Sequence, residues 1–368
     1  MPPSYPIFLL FLLSTPTITP SPIGCSNYLP CWKSVNEMVD MATGKDTERY
    51  NCSSKTPSEW LQTGEHRAGW SIYYLVSAVV FQIIGWPVLY VFVSPNVMNK
   101  QFKAFRIMAF IGIIEITEVW GVSGWAGWAA WKGEVYCSNR VMATIVGKIT
   151  MVQWITGTTS ALFLGIHRYT ELTKKGLWLH DSTPKTYLWL SAFSLYGIFG
   201  SVFYDTVLFN SRYMAPLLDP MISENSPFSY SNEFLRYHNC AVSAAILVVY
   251  TTLTWTYLKK GWKYESIWAT KINTRVLIQS ICLSLTYIIP ALSFVLIYFI
   301  TNPPYALILV SDLTYQLSGG LPFVMYILVN SRIRRELLVL VRRHPEVDTI
   351  GSANTVSTSV NHSGRIWN

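Results

Sequence analysis

Only a few side chains in this sequence are placed where they could do chemistry. Glu115, Glu118, Lys148 and Asp312 carry charge inside otherwise apolar stretches. Glu115 and Glu118 are three residues apart and therefore share one helix face. An ionised side chain at mid-bilayer costs about 2.5–3.5 kcal/mol on insertion scales, so both must face other helices or be protonated. Lys148 stands at a depth that could meet Glu118. The pair is either a structural ion pair or part of an ion-binding or ligand-anchoring cluster, unless Lys148 snorkels to the interface. Asp312, about two turns into its segment, suits a cationic or hydroxylated ligand, or a helix-packing hydrogen bond. Asp205, near the end of its stretch, is expected to reach the interface.

Gly121-Val122-Ser123-Gly124 matches a Gly-x-Ser-Gly pattern of intramembrane serine proteases, which need a histidine within a neighbouring span. His66, His167, His180, His238, His344 and His362 all lie outside the deep part of any span. Gly121, Gly124 and Gly127 read better as a small-residue face for close helix packing. With no phosphate-binding glycine loop and no His/Cys metal cluster, the sequence predicts no enzyme, cofactor or metal.

The elements that must position these residues are long apolar helices. Of 368 residues, 51% are hydrophobic and 13% charged, about half the charge of a soluble domain, and mean hydropathy is +0.29. Seven stretches are long enough to span hydrocarbon: about 71–93, 107–130, 141–166, 187–209, 240–258, 276–300 and 305–329. A lipid-exposed backbone there must be helical. The fold class is therefore an all-α membrane protein, a seven-transmembrane helix bundle at 71–330.

Lys and Arg placement sets the orientation. Loops 94–106, 167–186 and 259–275 and the tail hold 18 of the 28 basic residues. The opposite loops hold Lys132, Arg140, Arg212 and Arg236. The basic side is read as cytoplasmic, which puts the N-terminus outside and the chain in the plasma membrane as a multi-pass protein. The net charge of +8 is then topology and not a nucleic-acid footprint. Asn51-Cys52-Ser53 is a glycosylation acceptor on the same outer side. Cys25, Cys31, Cys52, Cys137 and Cys240 also fall there, where disulfides persist. Spacing does not fix the pairing. Cys25–Cys31 with Cys52–Cys137 is one assignment, and Cys240 is a rival partner for Cys137.

Residues 1–24 read as a signal peptide around the apolar run 7–13, and 25–70 as an extracellular segment. After the seventh span, Ile333, Leu337 and Val341 recur at four-residue intervals among arginines. Residues 331–344 therefore read as a short amphipathic helix on the surface of membrane lipid. Residues 345–368 are Ser/Thr-rich and read as a disordered cytoplasmic tail, either phosphorylated or inert.

Particular residues narrow the class. Tyr50, Cys52 and Glu59-Trp60 precede the first span, and Cys137, Trp154 and Arg168 mark the third. Asp219-Pro220 and Tyr237-His238-Asn239 precede or open the fifth. Gly320-Leu321-Pro322, Tyr326, Asn330 and Ile333-Arg334 close the seventh. Over roughly 50–340 the chain resembles the nematode serpentine chemoreceptors of class T, with His167 standing where that class commonly has Asn. The resemblance implies a G-protein-coupled receptor that carries an extracellular small-molecule or peptide signal to a heterotrimeric G protein. It implies that Arg168 and His167 at the inner end of the third span, with Pro322, Tyr326 and Asn330, form the coupling switch; by its position alone Arg168 reads equally as a positive-inside anchor. Glu118, Lys148 and Asp312 are the ligand-pocket candidates, among the outer halves of spans two, three, five, six and seven. A proton- or ion-coupled transporter is the alternative, carried by Glu115, Glu118 and Lys148.

Overall fold

The computed structural model describes residues 32–94, 103–176, 182–223, 228, 230–261, 267–300 and 303–342. Among them, seven helices are long and apolar enough to cross a membrane. Two short helices come first, α1 (Trp32–Ala42) and α2 (Pro57–Leu61). The first span is α3 (Ala68–Val93). The second is built from α4 (Lys103–Val119), a π-helical turn (Trp120–Trp125) and α5 (Ala126–Lys132). The third, fourth and fifth are α6 (Arg140–Thr173), α7 (Thr183–Phe203) and α8 (Glu233–Gly261). The sixth and seventh are α9 (Ile267–Phe299) and α10 (Tyr305–Val329), and α11 (Ser331–Arg342) follows.

Local sequence accounts for the ends of these elements. Thr56 and Glu59 form a capping box around α2, with Pro57 at its first turn. Gly133 closes α5 in the left-handed conformation, at φ 77°. Asn232 Oδ1 accepts the Leu235 N–H at 2.7 Å, starting α8 seven residues before the expected Cys240. Pro87, Pro290 and Pro322 lie inside helices, each removing one backbone donor. The π-turn shifts the register of the second span beyond Glu118, and such turns often lie at functional sites.

Helix α7 is shorter than expected. It ends at Phe203, and Leu208–Asn210 instead forms strand β1, paired antiparallel with β2 (Ala215–Leu217). The hairpin lies against α6, where Gly147 allows the Val207 carbonyl a close approach. At the same end, Cys52 and Cys137 form a disulfide with Cα atoms 5.5 Å apart. Cys240 is a free thiol, so it is not the partner of Cys137. The buried cluster around Tyr50, Trp60, Tyr136 and Leu208 packs about this bond. The proposed signal peptide, the Cys25–Cys31 pair and the tail 345–368 lie outside the described residues.

Candidate functional site

A cavity of about 550 Å³ lies beneath the hairpin, between α6, α8, α9 and α10. Its size is that of a small-ligand site. Trp154 and Tyr315 form its floor, with ring centroids 5.2 Å apart and perpendicular. Phe294 of α9 meets Tyr315 at 6.0 Å. Pro216, Leu217 and Leu218 of the hairpin form the roof. The wall from α8 presents Asn232, Arg236 and Asn239 at the spacing of successive helical turns.

Each polar group on that wall is positioned by a second contact. Trp154 Nε1 donates to Asn239 Oδ1 at 2.9 Å, joining two residues that were singled out in the sequence separately. Asn232 Nδ2 donates to the Asp205 carbonyl at 2.6 Å. Arg236 pairs with Glu233, which also accepts the Tyr298 hydroxyl. The Arg236 guanidinium further lies 4.5 Å from the Tyr298 ring centre, a cation–π contact.

The cavity's lid is tied down from the N-terminal segment. Asp205, expected only to reach the interface, accepts a bidentate pair from Arg49, at 3.0 Å and 2.6 Å. Arg49 also reaches Glu37 Oε2 at 3.4 Å and lies over the Tyr50 and Tyr230 rings. Burial pushes the Glu37 carboxyl up, and Arg49 partly offsets this. The Tyr230 hydroxyl donates to the Arg49 carbonyl at 2.7 Å. This cluster joins residues more than 150 positions apart, and no local pattern in the sequence announces it.

The expected Glu118–Lys148 pair is not formed. Lys148 Nζ donates to the Ser201 carbonyl at 2.6 Å and the Tyr204 carbonyl at 2.9 Å. It thereby satisfies acceptors that the end of α7 would otherwise leave open. Glu118 hydrogen-bonds Tyr315 instead. Glu115 Oε1 accepts the Tyr287 hydroxyl at 2.5 Å, and Asp312 Oδ2 accepts that of Tyr74. Three buried carboxyl groups are thus each clasped by a tyrosine from another helix, because burial requires a partner for each. None of Glu118, Lys148 and Asp312 lines the large cavity. Glu118 stands one side chain behind it, through Tyr315, and span two contributes no lining residue. Asp312 and Tyr315 instead border a void of about 30 Å³.

At the opposite end of the bundle, Arg168 is buried, with Nη2 3.8 Å from Met108 Sδ. Tyr250, Tyr257 and Tyr326 lie within electrostatic reach of its guanidinium. His167 is fully buried, its Nδ1 3.6 Å from Glu171 Oε2. Tyr326 packs edge-on against Phe92 at 5.2 Å. Asn330 makes the corner between α10 and α11: its N–H donates to the Tyr326 carbonyl and its Oδ1 accepts from Ile333 N–H. Arg334 Nη1 then donates to the Ile327 carbonyl at 2.9 Å, capping α10 from α11. The five residues expected at the switch therefore lie toward one end of two helices, α6 and α10, and Pro322 lies about one turn above Tyr326.

Packed rings lead from the cavity floor to the second span. Trp154 on the cavity floor lies 6.4 Å from Tyr287 of α9, and Tyr287 is the residue that clasps Glu115. Displacing Trp154 or Tyr315 bears directly on the contacts that hold α9 and α10 to the second span.

A family model described as the serpentine type 7TM GPCR chemoreceptor Srt matches residues 38–348. The Caenorhabditis elegans protein named serpentine receptor class T-55 is 48% identical over 336 residues, covering 91% of this chain and 92% of that protein. The match runs through both the cavity and the Arg168 end, and the chain belongs to the Srt family of seven-transmembrane G-protein-coupled chemoreceptors.

Proposed function

We propose that this chain is a plasma-membrane chemosensory receptor whose hairpin end faces outward and whose Arg168 end engages a heterotrimeric G protein. The observation that carries the reading is the ring path from a roofed cavity to the clasped carboxyl groups of the second span. A ligand on the Trp154–Tyr315 floor has different contacts in two bundle arrangements, and that difference shifts their populations. Loosening the Tyr287–Glu115 and Tyr315–Glu118 clasps frees α9 and α10 to move at the other end. Arg168, held there against Met108 and a ring of tyrosines, then becomes available to a partner. The basic face of α11 lies on the inner leaflet. Ion-coupled transport has no support in this arrangement, because Lys148 and Glu118 are engaged separately.

A G-protein activation assay in a heterologous cell tests the coupling. Arg168→Ala is expected to abolish agonist-dependent or basal signal at unchanged surface level, and retention of full signal refutes the assignment. Orientation has its own test, since Asn51-Cys52-Ser53 and Asn361-His362-Ser363 are acceptor sequences at opposite ends of the chain. Asn51 is exposed, as glycosylation requires. Asn51→Gln is expected to remove the glycosidase-sensitive gel shift, whereas Asn361→Gln leaves it. The reverse result inverts the topology.

A further inference from the structure

Resting on the reading of the roofed cavity as the ligand site, we infer that its ligand is an uncharged, largely apolar molecule bearing a hydrogen-bond acceptor such as a carbonyl oxygen. The acceptor is held by Asn239 and Arg236.

Donors and acceptors on the α8 wall are unevenly used. Trp154 has only an N–H to offer, so the atom of Asn239 it meets must be the oxygen. That leaves the two amide hydrogens of Asn239 as donors at the cavity wall. Asn232 is used at both ends, its oxygen by Leu235 N–H and its nitrogen by the Asp205 carbonyl. Arg236 lies one turn from Asn239 and has five N–H donors, with Glu233 and the Tyr237 hydroxyl as partners at one nitrogen. The deep wall therefore offers donors, and its side-chain amide oxygens are already occupied.

Charge discriminates further. Glu233 already matches the Arg236 charge, so a carboxylate ligand would bring an anion to a neutral pair. Asp219, also on the cavity, would repel it. Asp219 lies at the loop edge, half-exposed, with Oδ1 turned onto the Met221 N–H at 2.8 Å. An amine would have to leave the deep wall to reach it. The floor and roof are rings and aliphatic groups, which bury an apolar body by the hydrophobic effect.

The test uses the full-length protein in detergent, with binding read as a thermal shift and by competition. The probes are a ladder of medium-chain methyl ketones, with carboxylic acids and primary amines of the same chain lengths. The ketones are expected to bind at least tenfold more tightly than either charged series. Asn239→Asp keeps the oxygen that Trp154 needs but removes the amide donors and adds a negative charge. It is expected to weaken ketone binding about tenfold, the scale of one lost hydrogen bond, and to raise amine binding. Leu218→Trp fills the cavity from its roof without touching that wall and is expected to abolish binding of all three series. Ketones that bind no better than acids or amines, or ketone binding unchanged in both variants, overturn the inference. Because binding is read without a G protein, a ketone that binds but never signals removes the proposed function and leaves this inference standing. Signal driven by acids or amines alone does the opposite.

Discussion

Replacing Cys137 by serine is expected to lower the stability of the hairpin end by about 4–5 kcal/mol, the loop-closure value for a bond spanning 85 residues. The bond fastens the segment before the first span to the start of α6, and the cluster of Tyr50, Trp60 and Tyr136 packs around it. Trp60 Nε1 donates to the Cys52 carbonyl at 3.0 Å, so loss of the bond also loosens a buried ring. The measurement is surface delivery together with the thermal midpoint of detergent-solubilised protein, with and without reductant. Cys52→Ser is expected to match Cys137→Ser, and the double variant to add nothing more, because each already removes the same bond. Cys240→Ser is the control, and it is expected to leave both readings unchanged because Cys240 is a free thiol. Equal losses for Cys240→Ser and Cys137→Ser would mean that Cys137 pairs elsewhere.

The second large effect is expected at Gly147. A Cβ there would lie 2.0 Å from the Val207 carbonyl oxygen and 3.1 Å from Thr206 Oγ1. The first of these atoms is backbone and cannot rotate away, so the strand must lift from α6. Gly147→Ala is expected to cost about 3 kcal/mol, the upper part of the overpacking range. Lifting the strand also displaces Pro216 and Leu217, the cavity roof, so ligand binding falls with stability. Gly157→Ala, in the same helix, meets nothing closer than the Ile114 methyl at 3.6 Å. It is expected to be neutral or to stabilise by up to about 1 kcal/mol through helix propensity. Thermal midpoints of the two variants side by side check the argument. A Gly147→Ala protein as stable as Gly157→Ala would show that the hairpin does not rest on α6 as described.

The difference between these two glycines shows where sequence reading stops. Both lie in one apolar helix, and nothing in their neighbours along the chain says which one faces a carbonyl. The same limit explains Lys148 and Glu118. Their depths along two helices suggested a pair, but depth does not fix the direction in which each helix faces. Lys148 faces the end of α7, where the Ser201 and Tyr204 carbonyls accept two of its hydrogens. Glu118 faces Tyr315, and the cavity lies beyond that ring. Asp205 likewise found Arg49, from a segment that no helical period relates to it.

What the sequence determined by itself is the number of spans, their helical nature and the family. Apolar length and backbone hydrogen bonding in lipid leave one solution, and both are local properties. The residues at the Arg168 end were legible for the same reason, since their recurring pattern lies close in sequence around the ends of two spans. Only the tertiary structure decided which polar groups meet: Trp154 with Asn239, Arg49 with Asp205, and each buried carboxyl with its tyrosine. Those contacts depend on how each helix is rotated about its own axis. That rotation is set by packing between spans distant in sequence, chiefly by where small residues let backbones approach and where buried polar groups must find partners.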